Sequence, residues 1–338
     1  MLAQIDGLPD QLSAAWDLGQ RLTLPAWMGI RQVVIAGMGG SAIGADLVAA
    51  AVKDACPVPI VVHRDYGLPA YAKGDETLVI CSSHSGNTEE ALDAFETAVN
   101  NGCRVLVVST GGKLSEKAEA ADIPLWKFDH KGQPRAAVGF SFALILGALS
   151  RLQLVPDAGD DVRDAVTAMK SQQEDVRAEV EVVKNPAKRQ AGQLMGRWVT
   201  VFGAGALSPV ARRWKGQINE VAKAAANFEF IPEADHNTLA GLVHPAEVLM
   251  PHTVALFLGA PSDHPRNRLR LRETRNIYML EGLAIDSYTA RGKSVIAHIW
   301  TTLHFGDYMA YYLAMAYGVD PTPVDVLENF KKALKPDE

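Results

Sequence analysis

Short, unbroken apolar runs alternate with amphipathic stretches through the first half of the chain. Val33-Val34-Ile35-Ala36, Ile60-Val61-Val62 and Val105-Leu106-Val107-Val108 read as buried strands, as do residues 78–82 and 123–128. Helical spacing covers residues 42–52, 88–100 and 114–121. Strands apolar along their whole length need cover on both faces, which a parallel sheet between two helix layers supplies. Residues 136–149 form the longest nearly apolar run. It is too short to cross a bilayer and contains Gly and Ser, so it reads as a buried core helix.

From 156 to 185 the chain turns polar, with Asp157, Asp160 and Asp161 near the start. That stretch predicts a solvated helix joining two domains and ended by Pro186. The alternation then restarts. Residues 199–202, 228–231 and 254–258 read as strands, and 209–226, 267–281 and 298–317 as helices. Residues 287–289 and 294–296 are further short runs. The second half repeats the first in kind. The expected fold class is α/β: two similar domains, residues 1–155 and 156–338, each a mainly parallel sheet in a flavodoxin-like three-layer arrangement.

Composition narrows the function classes. The 338 residues are 48% hydrophobic and 21% charged, with net charge −6, so nothing draws the chain generally to nucleic acid or an anionic membrane. Cys56, Cys81 and Cys103 make an odd set with no framework, which predicts a reduced, cytoplasmic setting. Residues 1–20 lack a basic region followed by an apolar stretch, so no signal peptide is expected. No HExxH or CxxC pattern points to a metal. The basic series Arg266, Arg268, Arg270, Arg272 and Arg275 lacks interleaved aromatics and reads as a solvated or dimer-contacting helix.

Two turns carry candidate chemistry. Cys81-Ser82-Ser83-His84-Ser85-Gly86-Asn87-Thr88 follows a strand pattern and opens a helix. Ser83, Ser85 and Thr88 offer hydroxyl donors, Gly86 permits close approach, and the helix start adds N–H groups and partial positive charge: a phosphate cradle. The competing role for any one of these hydroxyls is a helix cap. Residues 37–44, GMGGSAIG, follow the first strand and satisfy G-x-G-x-x-A. A dinucleotide reading wants an acid about twenty residues on. Asp65 comes 28 residues after Gly37, a poor fit. Gly39, Gly40 and Ser41 can instead bring backbone N–H groups to a substrate, or simply pack strand on helix. Gly203-Ala204-Gly205 is assigned to packing alone.

GMGGSAIG, SHSGNTEE, Pro134-Arg135-Ala136-Ala137, Gln217-Ile218-Asn219-Glu220, Glu233-Ala234-Asp235-His236-Asn237, Gly306-Asp307-Tyr308, Val319-Asp320-Pro321-Thr322-Pro323 and Phe330-Lys331 together resemble the bifunctional phosphoglucose/phosphomannose isomerases. The resemblance implies two sugar isomerase domains, aldose–ketose exchange on a hexose 6-phosphate without cofactor or metal, and a homodimer with shared active sites. It implies that Ser41, Ser83, Ser85 and Thr88 hold the phosphate, with Gly39, Gly40 and Thr322 around the substrate. Arg135 would sit by the reacting carbons, Glu220 would be the base, His236 would open the sugar ring, and Lys331 would assist. His84 departs from the aromatic usual between the two serines.

The residues leave alternatives beside these roles. One carboxylate can move a proton between adjacent carbons, but most helix glutamates are solvated. A histidine suits ring opening near neutral pH, and Asp235 either orients His236 or caps a helix. Lys331 falls on or beside the apolar face of Val324, Leu327, Phe330 and Leu334, where it snorkels or reaches an anion. Arg135 precedes the buried helix at its N-terminal side, where a cation gains nothing from the dipole, so an anionic partner is expected. A non-catalytic sugar-phosphate sensor and a nicotinamide-dependent oxidoreductase remain as alternatives.

Overall fold

Among the described residues, nine strands form two wholly parallel sheets. The computed structural model describes residues 1–334. Strands β1 (Gln32–Ala36), β2 (Ile60–His63), β3 (Thr77–Ser83), β4 (Arg104–Ser109) and β5 (Leu125–Lys127) are ordered β2-β1-β3-β4-β5. Strands β6 (Trp198–Ala204), β7 (Ala226–Ile231), β8 (Thr253–Gly259) and β9 (Ala284–Thr289) are ordered β7-β6-β8-β9. The first strand of each sheet therefore sits between the second and third, and the expected α/β class holds. All of β3 is buried, which is why its sequence is unbroken rather than alternating.

Helices α1 (Leu2–Asp6) and α2 (Leu8–Arg21) open the chain, and periodicity had not marked them. Helices α3 (Gly39–Ala51), α4 (Glu89–Asn100) and α5 (Gly112–Ala120) connect the first sheet. Helix α6 (Val138–Arg151) is buried along nearly its whole length, as its composition predicts.

The stretch after α6 corrects the expected solvated linker. Helix α7 (Gly159–Val176) buries Val162, Ala165, Met169, Gln172, Gln173 and Val176. Gln172 Nε2 donates to the Thr301 carbonyl at 2.9 Å, and Gln173 Nε2 to the Asp6 carbonyl at 2.8 Å. Nor does Pro186 end this helix. It starts α8 (Pro186–Leu194), capped by Asn185 Oδ1, which accepts from Lys188 N–H at 3.0 Å.

Helix α9 (Ser208–Glu220) ends six residues short of the expected 226, and α10 (Ala246–His252) and α11 (Pro265–Leu280) flank β8. The run 294–296 belongs to α12 (Val295–Tyr317), whose Ser294 Oγ accepts from Ala297 N–H at 3.1 Å. Helix α12 is buried without a break from Ile296 to Ala310, the mark of a central core helix. Helix α13 (Asp325–Ala333) closes the described chain. Among the described residues, no helix is long and apolar enough to cross a membrane.

One apolar core runs through both halves, joining Leu12, Leu144, Met169, Leu256 and Trp300. Helices α9 and α12 approach closely within it. A Cβ on Gly306 would fall 2.2 Å from Trp214 Nε1, which itself donates to the Thr302 carbonyl at 2.9 Å. Beside this contact, Arg213 grips Asp307 through two hydrogen bonds of 2.8 and 3.3 Å, with side chains 4% and 5% exposed. Asp307→Asn leaves that guanidinium buried without counter-charge, so a loss of about 3–5 kcal/mol is expected in urea unfolding. Glu76→Gln, which breaks the exposed Arg31–Glu76 pair, should cost under about 1 kcal/mol in the same measurement.

Candidate active site

The C-terminal ends of β1 and β3 are neighbours from which the chain departs in opposite senses, the place where open α/β sheets bind ligands. Both candidate turns lie there. Ser41, in the first turn of α3, accepts from His84 N–H at 3.2 Å through its Oγ. Ser83, at the end of β3, is 2% exposed. Its Oγ stands 3.0 Å from Thr88 Oγ1 and accepts from Gly86 N–H at 3.1 Å. Ser85 Oγ accepts from Asn87 N–H at 3.2 Å. Gly86 has φ +65°, and a Cβ there would lie 1.7 Å from the Gly111 carbonyl oxygen, so only glycine fits.

Thr88 occupies the N-cap position of α4, but its side chain makes no cap hydrogen bond. Its hydroxyl turns to Ser83 instead, against the cap role. Helix α3 likewise starts at Met38 without a side-chain cap. Two uncapped helix starts beside four hydroxyls provide donors of the kind a phosphate takes.

The glycines divide. Gly39, at φ +50°, has open space where a Cβ would project. Gly40 packs: its Cβ would lie 2.7 Å from the Pro134 carbonyl oxygen and 3.2 Å from Arg135 Cα. Asp65 accepts from the neighbouring Tyr66 N–H at 2.8 Å on an exposed turn, which suits a local turn better than a ribose contact.

Gly40 thus brings Arg135 to the edge of the cradle. Arg135 lies in a 3-10 turn, Pro134–Ala136, and is 3% exposed. Its Nη2 donates to the carbonyls of Pro321 at 2.9 Å and Thr322 at 2.6 Å. Its Nη1 lies 3.6 Å from Glu220 Oε2, the anionic partner the sequence called for. Its Nε has no hydrogen-bond partner among the described residues. Burial lowers the Arg135 pKa, while Glu220 opposes the shift.

Glu220 ends α9, half-buried with 35% of its side chain exposed. Lys223 joins this group, though its sequence gave no signal. Its Nζ donates to the Glu220 carbonyl at 2.6 Å, and burial and then Arg135 lower its pKa. Thr322 enters through its carbonyl rather than its hydroxyl. A cavity of about 710 Å³ at the N-terminal edge of the second sheet, lined by Trp198, Lys223, Leu249 and Tyr317, shares only Lys223 with this cluster.

Two predicted residues stand apart. His236 is exposed on a 3-10 turn, Glu233–His236, beyond the C-terminal end of β7. Glu220 lies before the N-terminal end of the same strand. The six residues of β7, a strand roughly 17–20 Å long, lie between the two positions. Asp235 does not orient His236: it accepts from Arg270 Nη1 at 3.0 Å and Thr274 Oγ1 at 2.8 Å, anchoring α11. Lys331 is exposed on α13, whose Leu327, Phe330 and Leu334 also face solvent in the single chain.

Residues 183–334 match the model described as the bacterial phospho-glucose isomerase C-terminal SIS domain. Over 336 residues the chain is 36% identical to a bifunctional phosphoglucose/phosphomannose isomerase of Caldicellulosiruptor bescii, covering 99% of this chain and 98% of that one. The chain belongs to the bifunctional phosphoglucose/phosphomannose isomerase family. The family member of Aquifex aeolicus is 32% identical over 304 residues, 90% of each chain. Among solved structures, the C-terminal domain of glucosamine-fructose-6-phosphate aminotransferase from Francisella tularensis superposes with TM-score 0.73 at 13% identity, covering 96% of this chain and 98% of that one, a likeness of fold.

The uncapped geometry of Thr88 generates a prediction for this family member. Thr88→Ala should weaken calorimetric binding of fructose 6-phosphate by about 1–3 kcal/mol, as expected for a lost hydrogen bond to a charged group. The thermal midpoint without ligand should barely move. Unchanged affinity with a clear loss of stability would return Thr88 to a capping role.

Proposed function

We propose that this chain interconverts glucose 6-phosphate, and mannose 6-phosphate, with fructose 6-phosphate through a cis-enediol and without metal. The contact between Glu220 and Arg135 at the edge of the hydroxyl cradle carries this reading. Ser41, Ser83, Ser85 and Thr88 hold the phosphate, with Gly39 leaving room for the chain of the sugar. Glu220 takes the proton from C2, and the electrons of that bond form the C1–C2 double bond. Arg135 faces the negative charge that gathers on the oxygens. The O2 proton then passes to O1 as the C2 carbonyl forms, and Glu220 returns its proton to C1. Glucose and mannose phosphates differ only at C2, which is planar in the enediol, so one base serves both.

Ring opening falls to His236 of a second copy. The span of β7 between His236 and Glu220 supports this, as do the apolar side chains that α13 leaves exposed. Lys331 reaches the anionic intermediate from the same assembly. We place the domain division at 155/156, between α6 and α7, and the protein in the cytoplasm. Burial pushes the Cys81 thiol up to about 12, so it is unreactive.

Glu220→Gln should lower isomerase turnover by roughly two to four orders of magnitude, the usual share of a general base. Affinity for 6-phosphogluconate, an open-chain phosphate that cannot isomerise, should change little. A variant with near wild-type turnover would remove Glu220 from the role. The wild type is assayed metal-stripped and without nicotinamide on all three hexose phosphates. Binding without turnover would favour a sensor, and a nicotinamide requirement an oxidoreductase.

Mixing inactive Glu220→Gln chains with inactive His236→Ala chains should restore activity, because some sites then hold one intact residue from each chain. No recovery, with mixed dimers verified by mass, would mean that each chain builds its site alone.

A further inference from the structure

A pair of histidines ties the cradle to the segment that carries Arg135. His84 stands between the two serines of the phosphate turn, and its main chain is held from two sides. Its N–H donates to Ser41 Oγ at 3.2 Å, and its carbonyl accepts from Thr110 Oγ1 at 2.6 Å and Thr110 N–H at 3.2 Å. Its ring meets a second imidazole, with His84 Nε2 2.9 Å from His130 Nδ1 and the rings at 80°. His130 lies between β5 and the turn of Arg135, five residues before that arginine. Among the described residues, the end of this segment is held by Arg135 Nη2 on the carbonyls of Pro321 and Thr322 and by Gln11 Nε2, which donates to the Ala136 carbonyl at 2.9 Å, whereas residues 131–133 have weaker side-chain anchors. Gln4 Nε2 donates to the Lys131 carbonyl at 3.4 Å, and Arg135 Nη1 to Gln133 Oε1 at 3.4 Å.

The surroundings keep the pair in place. His84 packs edge-on to Phe128, 6.0 Å between ring centres, and Phe128 stacks on Phe140 at 4.7 Å. His130 meets Phe140 edge-on at 6.1 Å. A hydrogen bond between imidazoles needs one ring N–H and one bare nitrogen. A neutral or singly protonated pair has both. A doubly protonated pair has two opposed N–H groups and two like charges, and loses the bond.

We propose that His84 and His130 are positioning residues whose imidazole–imidazole hydrogen bond fixes the phosphate turn against the Arg135 segment, so that phosphate affinity depends on that bond. The proposal deepens the isomerase reading and rests on it for the ligand. Burial holds both rings neutral. It pushes His84 down to about 4, with His130 as the second cause, and it lowers His130 against the pull of Asp129. Asp129 is the charged group acting on His130, the other ring neighbours are Phe128 and Phe140, and the hydroxyls of Ser41 and Thr110 address the His84 main chain. Both folded pKa values lie below the ordinary imidazole value. The bond survives the first protonation, so it is present at neutral pH and is lost only as pH falls through about 4, where His84 takes up the second proton.

Calorimetric binding of 6-phosphogluconate from about pH 7.5 to about pH 3.5 tests this. His130→Ala should weaken binding about tenfold at the upper pH, the size of one net hydrogen bond. His130→Asn offers an amide donor or acceptor where Nδ1 stands. It should bind like wild type at the upper pH and keep its affinity at the lower pH, where wild type falls behind it. Phosphate ionisation near pH 6 affects all three proteins alike and cancels in their ratios. Equal affinity of wild type and His130→Ala would overturn the proposal, as would an equal loss in the Ala and Asn variants. Should His130→Ala not fold, the nitrogen NMR shifts of the wild-type imidazoles decide, and the absence of an N–H···N bond at the upper pH overturns it. Wild type that binds but fails to isomerise would count against the isomerase reading and leave the histidine test standing.

Discussion

The site depends on one buried cation. Arg135 comes from the first half of the chain, yet three of its partners, Glu220 and the carbonyls of Pro321 and Thr322, come from the second. A guanidinium taken out of water needs its donors satisfied, and an isolated one would be prohibitive. Here a carboxylate and two carbonyls answer it, so the end of α9 and the segment before α13 converge on the cradle. Gly40 sets the other side, because a side chain there would drive the Arg135 turn away from the start of α3. Behind it, Arg213 and Asp307 neutralise each other and act on Arg135 in opposite directions.

Electrostatics also explain why Glu220 needs company. A carboxylate at a helix C-terminus faces the negative end of the dipole. Glu220 ends α9, so its charge is supported from outside the helix, by Arg135 at its oxygen and Lys223 against its carbonyl. In the reaction proposed above, the same two cations would face the charge that develops on the enediolate. In the proposed reaction the supports of the resting base and of the intermediate are one set.

Much of this was legible in sequence because it is local. Fully buried strands read as unbroken apolar runs, and the hydroxyls of residues 83–88 stand on one turn. The misreadings have physical causes. Residues 159–176 carry their charges on one face and bury the other, so composition averaged over the stretch hid an interface. Residues 221–226 keep helical propensity, yet α9 stops at a left-handed Lys223, φ +56°. There Ala224 N–H donates back to the Ile218 carbonyl at 3.2 Å, and Asn219 Nδ2 donates to the Ala224 carbonyl at 2.8 Å. A lysine in the place usually held by glycine gives no warning. His236 was legible as a residue type, but its distance from Glu220 follows only from the direction of β7. The pairing of His84 with His130 joins elements 46 residues apart, beyond any periodicity.

The two sheets share strand order but contribute differently to the proposed site. The first offers its C-terminal edge, where turns and uncapped helix starts supply hydrogen-bond donors. The second contributes the returning end of α9, from its opposite edge. A phosphate held at the first edge is remote from the carbons that react at the second, and its binding energy can be spent on orientation there. The rigidity of the connection between the two edges then decides how much of that energy reaches the chemistry. That connection is the short path from His84 through His130 to Arg135, together with the contact of Gly40 on the Arg135 turn. Selectivity for a phosphorylated substrate and precision at C1 and C2 are in this view one mechanical property of the loop between β5 and α6.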